Sequence, residues 1–233
     1  MKAMILAAGR GERMRPLSDS VPKPLLEVGG KPLVVWQIER LVAAGFTDLI
    51  VNVAHHAEMI VERLGEGSAF GCSIRYSREP EPLEVAGGIA TARPLLGPGV
   101  ALIVSSDLYT EYPYRKLGER ASSMAAAATP PHAHMVMVPN PPYHAEGDFG
   151  LASGKLSLDG ADRSTYGNVG LYRMELFAEL PPGKRLQILP LYRDWIARGW
   201  VSGELYTGPW ANVGTAHELA RLDRELTEKR FRP

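Results

Sequence analysis

The 233-residue sequence contains a single cysteine, Cys72, so an intramolecular disulfide, a redox pair and a cysteine zinc site are all excluded. Such sparse cysteine usage predicts a protein of the reducing cytoplasm. No apolar run approaches the roughly 18 residues that a transmembrane helix needs. Lys2 is followed at once by a short strand-like stretch and then glycines, a pattern unlike a signal peptide. We therefore expect a cytoplasmic protein without a membrane partner.

The sequence also lacks an excess of charge of either sign, since Lys plus Arg and Asp plus Glu number 26 each. Clustered positive charge supplies much of the affinity of nucleic-acid-binding proteins, so the balance argues against a nucleic-acid partner. It argues equally against a polybasic membrane-surface protein. The hydrophobic and charged fractions, 45% and 22%, are ordinary for a globular chain. With these classes excluded, we expect a protein that acts on small molecules. No pattern indicates an oligomeric state.

Apolar runs of strand length alternate with helical patterns through the first half of the chain. The patterns predict strands at 4–8, 49–53, 73–77 and 100–104, and helices at 33–45, 57–64 and 87–96. This order predicts an α/β fold with a Rossmann-like, mostly parallel sheet flanked by helices. Ligands of such folds bind beyond the carboxyl ends of the strands.

The second half of the chain is less regular and contains no internal repeat. Its patterns predict strands at 135–138 and 166–172, a hairpin around Ser153-Gly154, and helices at 186–198 and 216–231. We expect one domain over residues 1–233, with a small, ligand-facing β insertion in this half.

The most informative stretch is LAAGRGERMRPL at residues 6–17. Gly9 and Gly11 let the backbone turn tightly and bring its N–H groups close to an anion. Three arginines within six positions add forked charge that suits phosphate. A dinucleotide fingerprint would need glycine where Met14 stands, and no Gly-Lys-Ser/Thr of a P-loop follows. The loop is thus interpreted as a phosphate site of another kind, and the alternative is an ordinary turn with solvated arginines.

Lys23 stands between two prolines in Val21-Pro22-Lys23-Pro24-Leu25. Proline fixes its own φ and restricts the preceding residue, so this lysine is presented on a stiff, extended backbone. Rigid presentation suits a lysine that reaches a phosphate. A plain surface loop is the alternative.

Two oxygen-bearing side chains are candidate metal ligands. Asp107 follows the most apolar strand directly, and magnesium commonly takes one or two carboxylates plus substrate phosphates. The alternative for Asp107 is a helix N-cap or turn residue. Asn212, in Trp210-Ala211-Asn212-Val213-Gly214-Thr215, offers a neutral carbonyl oxygen, a weaker ligand. Gly214-Thr215 could equally cap the C-terminal helix.

Together these motifs resemble those of the sugar-1-phosphate nucleotidyltransferases, also called sugar-nucleotide pyrophosphorylases. The resemblance rests on Leu6-Ala7-Ala8-Gly9 with Gly11 and Arg13-Met14-Arg15-Pro16-Leu17, on Pro22-Lys23-Pro24-Leu25, on Asp107, and on Asn212-Val213-Gly214-Thr215. It implies the nucleotide-diphospho-sugar transferase fold and a Mg²⁺ cofactor. It also implies the reaction: a sugar 1-phosphate oxygen attacks the α-phosphorus of a nucleoside triphosphate in line, and pyrophosphate leaves.

The resemblance also implies roles for particular residues. Arg13 and Lys23 would neutralise the phosphates, and Asp107 and Asn212 would hold Mg²⁺, with Asp107 counted among the catalytic residues. A nucleotide-binding part at about 1–110 would contact the nucleoside triphosphate through Leu6, Ala8, Gly9, Gly11, Glu12, Arg13, Glu79, Gly87 and Ser105. A sugar-binding part at about 135–215 would read the sugar through Gly150 and Asn168.

Within the family the chain is most similar to members that transfer uridylyl from UTP to N-acetylmuramate 1-phosphate in peptidoglycan recycling of the bacterial cell wall. This similarity rests chiefly on the stretches 64–68, 73–77, 81–84 and 147–149. By the same resemblance the base would sit near Glu79 to Gly88. Such members carry Thr-Gly where this chain has Val85-Ala86, so a hydroxyl is missing near this expected base site. A thymidylyl- or guanylyltransferase for glucose or mannose 1-phosphate, and a nucleotide-binding regulator with little turnover, are the alternatives.

Overall fold

The computed structural model describes residues 1–160 and 162–231. Nine of the strands form one sheet: β1 (Ala3–Leu6), β4 (Asp48–Val53), β5 (Ser73–Arg78), β6 (Val100–Ser105), β8 (Ala133–Val138), β9 (Phe149–Ala152), β10 (Lys155–Ser157), β11 (Arg163–Arg173) and β12 (Val201–Leu205). Two small antiparallel pairs stand apart, β2 (Glu27–Val28) with β3 (Lys31–Pro32), and β7 (Leu108–Thr110) with β13 (Trp210–Asn212).

The strand order in the sheet is β5-β4-β1-β6-β11-β8-β12-β10-β9. The pairings run β5, β4, β1, β6, β8, β12 and β9 in one direction, and only β11 and β10 in the other. The expected mostly parallel sheet is therefore confirmed. The long strand β11 joins the two halves of the chain, because it pairs with both β6 and β8.

Seven α-helices occur in the described residues: α1 (Leu17–Ser20), α2 (Leu33–Ala43), α3 (Ala57–Leu64), α4 (Glu84–Leu96), α5 (Arg115–Ala126), α6 (Leu189–Ala197) and α7 (Ala216–Phe231). Alternate residues of β1 enter different cores, Ile5 on one face of the sheet and Met4 on the other. Apolar side chains of α2, α3 and α5 cover the first face, and those of α4 and α6 cover the second. Both faces are thus buried, as a mostly parallel sheet requires.

The helix α7 builds a third, smaller core. Leu222 and Leu226 pack with Met14, which follows the glycine-rich loop, and with Val28 of β2. The C-terminal helix thereby holds the far end of the loop.

The path of the chain places a crevice between β1 and β6. From β1 the chain moves outward to β4 and β5, and then returns across β1 to β6 on its other side. The last residues of these two strands, Leu6 and Ser105, are paired in register. Ligands of open α/β sheets bind at such a reversal of strand order.

None of the helices within residues 1–160 and 162–231 combines the length and the apolarity that a membrane crossing demands.

Candidate active site

The glycine-rich loop leaves β1 at the crevice and is fixed at several points. The Ala7 amide donates to Asn52 Oδ1 over 2.8 Å, and Ser18 Oγ donates to the Gly11 carbonyl over 2.8 Å. Gly11 has φ +66°, and a Cβ there would lie 3.1 Å from Lys23 Cβ. Glycine is needed for both reasons, since other residues rarely adopt this conformation. The loop therefore approaches Lys23 closely.

A cleft of about 790 Å³ opens beside this loop. Its walls include ten of the residues that the sequence predicts for the site: Leu6, Ala8, Gly9, Gly11, Glu12, Arg13, Lys23, Glu79, Ser105 and Asp107. Residues 81–85, Asn52, Arg185 and Gly214 complete much of the remaining wall. Pockets for drug-sized ligands commonly hold 300–1,000 Å³, so the cleft has room for a nucleotide.

Lys23 and Asp107 form an ion pair inside the cleft. The side chains are only 13% and 23% exposed, respectively. Pro22 and Pro24 flank the lysine in a short 3₁₀ turn, Lys23–Leu25. The extended backbone expected at Lys23 is not found, because Lys23 begins the 3₁₀ turn. The lysine side chain is nevertheless directed at the carboxylate that follows β6.

The strand pair β7–β13 brings the backbone of Asn212 alongside residues 107 and 108. Asn212 is opposite Leu108, the neighbour of Asp107, and the Val213 amide donates to the Asp107 carbonyl over 2.9 Å. Asn212 Oδ1 is buried without a hydrogen-bond partner among the described residues. A buried polar oxygen without a partner costs free energy, so a ligand for it is expected.

The residues after Asn212 begin α7. Glu218 Oε2 accepts from the Gly214 amide over 2.7 Å, and Thr215 Oγ1 accepts from the Glu218 amide over 3.2 Å. This reciprocal pattern is a variant of the capping box, in which the glutamate accepts from the amide just before the N-cap residue. Capping of the C-terminal helix, the alternative considered for Gly214-Thr215, is therefore what Thr215 does. Gly214 lies in the cleft wall, where an added Cβ would be 3.5 Å from the Arg13 guanidinium.

A second cavity, of about 400 Å³, adjoins the cleft at Arg13, which lines both. Its walls come from distant parts of the chain: Tyr143, His144, Asp148, Phe149, Thr165, Tyr166, Asn168, Ile188, Leu189, Tyr192, Trp210 and Asn212. Asn168 has φ +55° at an irregularity of β11, where the register with β8 shifts between Tyr166 and Gly170. Such bulges often re-aim side chains beside active sites.

Hydroxyl groups form a chain beside this second cavity. Tyr166 Oη and Tyr172 Oη are 2.8 Å apart, and Tyr172 Oη and Tyr192 Oη are 2.9 Å apart. Burial raises the pKa of Tyr192 to about 12, so its hydroxyl stays protonated at neutral pH. These hydroxyl–hydroxyl hydrogen bonds link β11 to α6 and give the second cavity a neutral, hydrogen-bonded wall.

Glu79 and Asn52 form a buried pair under the glycine-rich loop. Asn52 Nδ2 donates to Glu79 Oε1 over 2.7 Å, and Glu79 Oε2 accepts from the Leu83 amide over 3.0 Å. Burial raises the pKa of Glu79. Since Asn52 also accepts from Ala7, the pair ties the loop to the wall at residues 79–83.

Two predicted site residues line neither cavity. A Cβ on Gly87 would lie 2.1 Å from the Lys184 carbonyl oxygen, so Gly87 packs against residues 184–186 instead. A Cβ on Gly150 would lie 2.5 Å from Ser157 Oγ, inside the β9–β10 hairpin. At Gly87 the backbone leaves no space for a side chain, and at Gly150 an added Cβ would displace the Ser157 hydroxyl.

The Nucleotidyl transferase family pattern matches residues 2–153, more than half of the chain. The chain belongs to the nucleotidyl transferase family. The N-acetylmuramate alpha-1-phosphate uridylyltransferase of Neisseria meningitidis serogroup B is 45% identical over 225 residues, covering 94% of this chain and 95% of the relative. The Caulobacter vibrioides enzyme of the same description is 31% identical over 239 residues, covering 97% of each. The expectation of a sugar-1-phosphate nucleotidyltransferase is thereby confirmed.

A solved structure shows the same fold. It is described as a glucose-1-phosphate thymidylyltransferase from Bacillus anthracis in complex with a sucrose. The two folds agree with a TM-score of 0.85 at 21% identity, and the match covers 100% of this chain and 98% of the other.

Three features of this nucleotidyl transferase were not predicted as part of its site. Asn52 is a polar residue inside the apolar strand Leu49-Ile50-Val51-Asn52-Val53, and that interruption was a usable signal. Arg185 and the aromatic walls of the second cavity have no comparable local pattern, because only the tertiary fold brings them to the site.

Proposed function

We propose that the protein transfers uridylyl from UTP to N-acetylmuramate α-1-phosphate, forming UDP-N-acetylmuramate and pyrophosphate in the cytoplasm during peptidoglycan recycling. The main support for the proposal is that the larger cleft and the second cavity meet at Arg13, beside Asp107 and Asn212. Two substrates can then meet with their phosphates together. The identity of the substrates follows the two relatives, which match this chain over nearly its whole length.

In this proposal the larger cleft, built mainly within residues 1–110, holds the nucleoside triphosphate. The backbone from Gly9 to Gly11 contacts its phosphates, and Arg13 and Lys23 supply positive charge. Glu79 and Ser105 lie in the same walls and contact the nucleotide. Phosphoryl chemistry asks little covalent work of the protein, so positioning and charge neutralisation supply most of the rate.

The smaller cavity, built mainly within residues 135–215, holds the sugar phosphate. Asn168 projects from the irregular part of β11 and is the proposed sugar-reading side chain. An oxygen of the sugar 1-phosphate forms the new bond to the α-phosphorus, and the bond to the bridging oxygen of pyrophosphate breaks. The attacking oxygen is already anionic, so no general base is needed. Arg13, at the junction, faces both phosphate groups.

Mg²⁺ fits the residues that are present. Within the described residues no three His, Cys, Asp or Glu side chains cluster as metal ligands. Magnesium, however, is commonly held by one or two carboxylates together with substrate phosphates. Asp107 and the unpartnered Oδ1 of Asn212 would hold the ion. When bound, Mg²⁺ supplies charge neutralisation on the phosphate oxygens.

Pyrophosphate release over a grid of substrates tests the proposal. The purified protein is incubated with each of UTP, dTTP, GTP, CTP and ATP against N-acetylmuramate, N-acetylglucosamine, glucose and mannose 1-phosphates. Pyrophosphate is converted to phosphate by pyrophosphatase and measured, and the nucleotide sugar is identified by mass. We expect UTP with N-acetylmuramate 1-phosphate to give the highest kcat/KM, with activity abolished by EDTA and restored by Mg²⁺.

Other results would replace the proposal. Preferred use of dTTP or GTP with glucose or mannose 1-phosphate would assign the alternative specificity. Nucleotide binding without turnover for any pair would indicate a regulator. Asp107→Ala is the matched control, because it removes one proposed ligand and should abolish turnover while the thermal unfolding midpoint stays near that of the wild type.

A further inference from the structure

The segment at residues 183–189, just before and at the start of α6, is bound to the beginning of α4. The Leu186 amide donates to the Leu83 carbonyl over 2.9 Å, and the Ala86 and Gly87 amides donate to the Leu186 carbonyl over 3.1 and 3.2 Å. The Gly183 amide donates to Thr91 Oγ1 over 2.9 Å. We call residues 183–189 the strap. These bonds fix the backbone of the strap along one wall of the nucleotide cleft.

The strap places one cationic side chain in that wall. Arg185 lines the cleft and donates from Nη2 to Glu84 Oε1 over 2.8 Å. Glu84 has φ +61°, a conformation that a residue with a side chain rarely adopts, at the first position of α4. The hydrogen bond to Glu84 raises the pKa of Arg185 most, and the charges of Glu81 and Glu12 raise it further. Arg185 is therefore a positive charge in the cleft wall, near the carboxylates of Glu81, Glu84 and Glu12.

The position of Arg185 relates to the two ends of the cleft. Arg13 lies where the cleft meets the second cavity, and Asp107, which is paired with Lys23, is bonded to the Val213 amide next to Gly214 at this end. In the proposed function this end takes the phosphates. The wall formed by 81–85 and Arg185 remains for the nucleoside portion. Arginine offers five donors in a rigid fork, which suits carbonyl and hydroxyl oxygens of a base or ribose. Its side chain is 70% exposed, so donors remain open to a ligand besides the bond to Glu84.

We propose that Arg185 is a nucleotide-binding residue that contacts the nucleoside portion of the triphosphate, and that Glu84 and the strap position it. The inference rests on the proposed function, because it assumes that the cleft takes a nucleoside triphosphate. It adds a contact from the sugar-binding half of the chain to the nucleotide. The same strap ends in Ile188 and Leu189, which line the second cavity, so the wall of one substrate site continues into the wall of the other.

Calorimetric titration with nucleotides, in the absence of any sugar phosphate, tests the proposal. UTP, GTP and dTTP are titrated with Mg²⁺ into the wild type, Arg185→Ala, Arg185→Lys and Glu84→Gln. We expect Arg185→Ala to weaken the dissociation constant of the tightest-binding nucleotide about tenfold, the effect of losing one charge-assisted hydrogen bond. Arg185→Lys should recover part of the loss, since it retains the charge but not the fork.

Two further variants distinguish a direct contact between Arg185 and the nucleotide from a purely structural role of Arg185 in holding the strap. Arg198→Ala removes another exposed arginine, paired with Asp194 at the end of α6, and should leave nucleotide binding unchanged. Glu84→Gln removes the charge but keeps a side-chain oxygen that can accept from Arg185, so the arginine stays near its position and binding should weaken less than threefold. Wild-type affinity in Arg185→Ala, or an equal loss in Glu84→Gln, would overturn the proposal. Tightest binding of GTP or dTTP would instead count against the proposed function, while the effect of Arg185→Ala on that nucleotide would still decide the role of Arg185.

Discussion

Replacing Gly87 with alanine tests how closely the strap is seated on α4. The added Cβ would lie 2.1 Å from the Lys184 carbonyl oxygen and 3.2 Å from the Leu186 amide nitrogen. Both are backbone atoms, so no side-chain rotation relieves the clash and the strap must move away. Overpacking of this kind costs roughly 1–3 kcal/mol, and alanine returns about 0.5–1 kcal/mol of helix propensity. We expect a net loss of about 1–2 kcal/mol in the free energy of unfolding.

The matched control is Gly118→Ala. Gly118 also lies within a helix, α5, but its added Cβ would meet nothing within 4 Å. Helix propensity alone then acts, and this variant should gain about 0.5–1 kcal/mol. At this chain length 1 kcal/mol shifts the unfolding midpoint by roughly 2–4 °C.

Thermal unfolding followed by circular dichroism, with urea titrations for the free energies, measures both glycine variants. The difference between them isolates the steric cost, because the propensity gain is common to both. If Gly87→Ala is as stable as Gly118→Ala and its nucleotide affinity is unchanged, the strap does not pack closely against α4 and the reasoning is refuted.

Three further predictions concern charge, capping and pH. Arg13→Ala should lower kcat by on the order of 10² in steady-state assays, because a charge that stabilises the phosphates is lost. Arg15→Ala, which removes an exposed arginine paired with Asp19, should stay near wild type. Equal effects of the two variants would contradict the role of Arg13 where the two cavities meet. Thr215→Ala should cost about 1 kcal/mol in urea unfolding by opening the capping box, and Thr215→Ser should restore it; an unchanged midpoint in Thr215→Ala would contradict the cap. Burial lowers the pKa of His134 to about 3, so the contribution of its neutral form to stability is complete above about pH 6.5 and is lost as the pH falls toward 3. In urea titrations between pH 6.5 and 3, His134→Gln should therefore lose less free energy of unfolding than the wild type. Equal losses in the two proteins would contradict this prediction.

The strands and helices that sequence patterns predicted well are those whose apolar residues need no distant partner to be recognised. β4 and β6 are nearly continuous apolar runs, and the predicted helix at 57–64 has the same bounds in the structure. By contrast α5 carries Gly118 and two serines, and it is held by burial of Leu117, Ala121 and Met124. These three residues have helical spacing, but the segment as a whole is poor in apolar residues, and the helix was not predicted.

Tertiary contacts also decide where two predicted helices begin. The helix predicted from residue 186 starts at Leu189, because both backbone groups of Leu186 are bonded to the start of α4. The helix predicted from Gly87 begins instead at Glu84. In each case hydrogen bonds between residues about one hundred positions apart in the sequence override the local pattern. A short stretch of sequence therefore does not reveal where these helices begin.

The site divides in the same way. The glycine-rich loop, the Pro-Lys-Pro around Lys23 and the carboxylate directly after β6 were each recognised from a short local stretch, and the cleft brings them together. The second cavity takes walls from Tyr143 to Asn212, so its shape depends on the fold. For Gly87 and Gly150, the absence of a side chain has a packing reason at both positions. Sequence reasoning could not separate that reason from a ligand contact.

The most direct test of the account is the ratio of two specificity constants measured with the same enzyme preparation. One is kcat/KM for N-acetylmuramate 1-phosphate with saturating UTP, and the other is kcat/KM for mannose 1-phosphate with saturating GTP. A uridylyltransferase for N-acetylmuramate 1-phosphate predicts a ratio on the order of 10² or more, the discrimination that a few lost or unpaired polar contacts provide. A ratio near one, or below it, would contradict the proposed function.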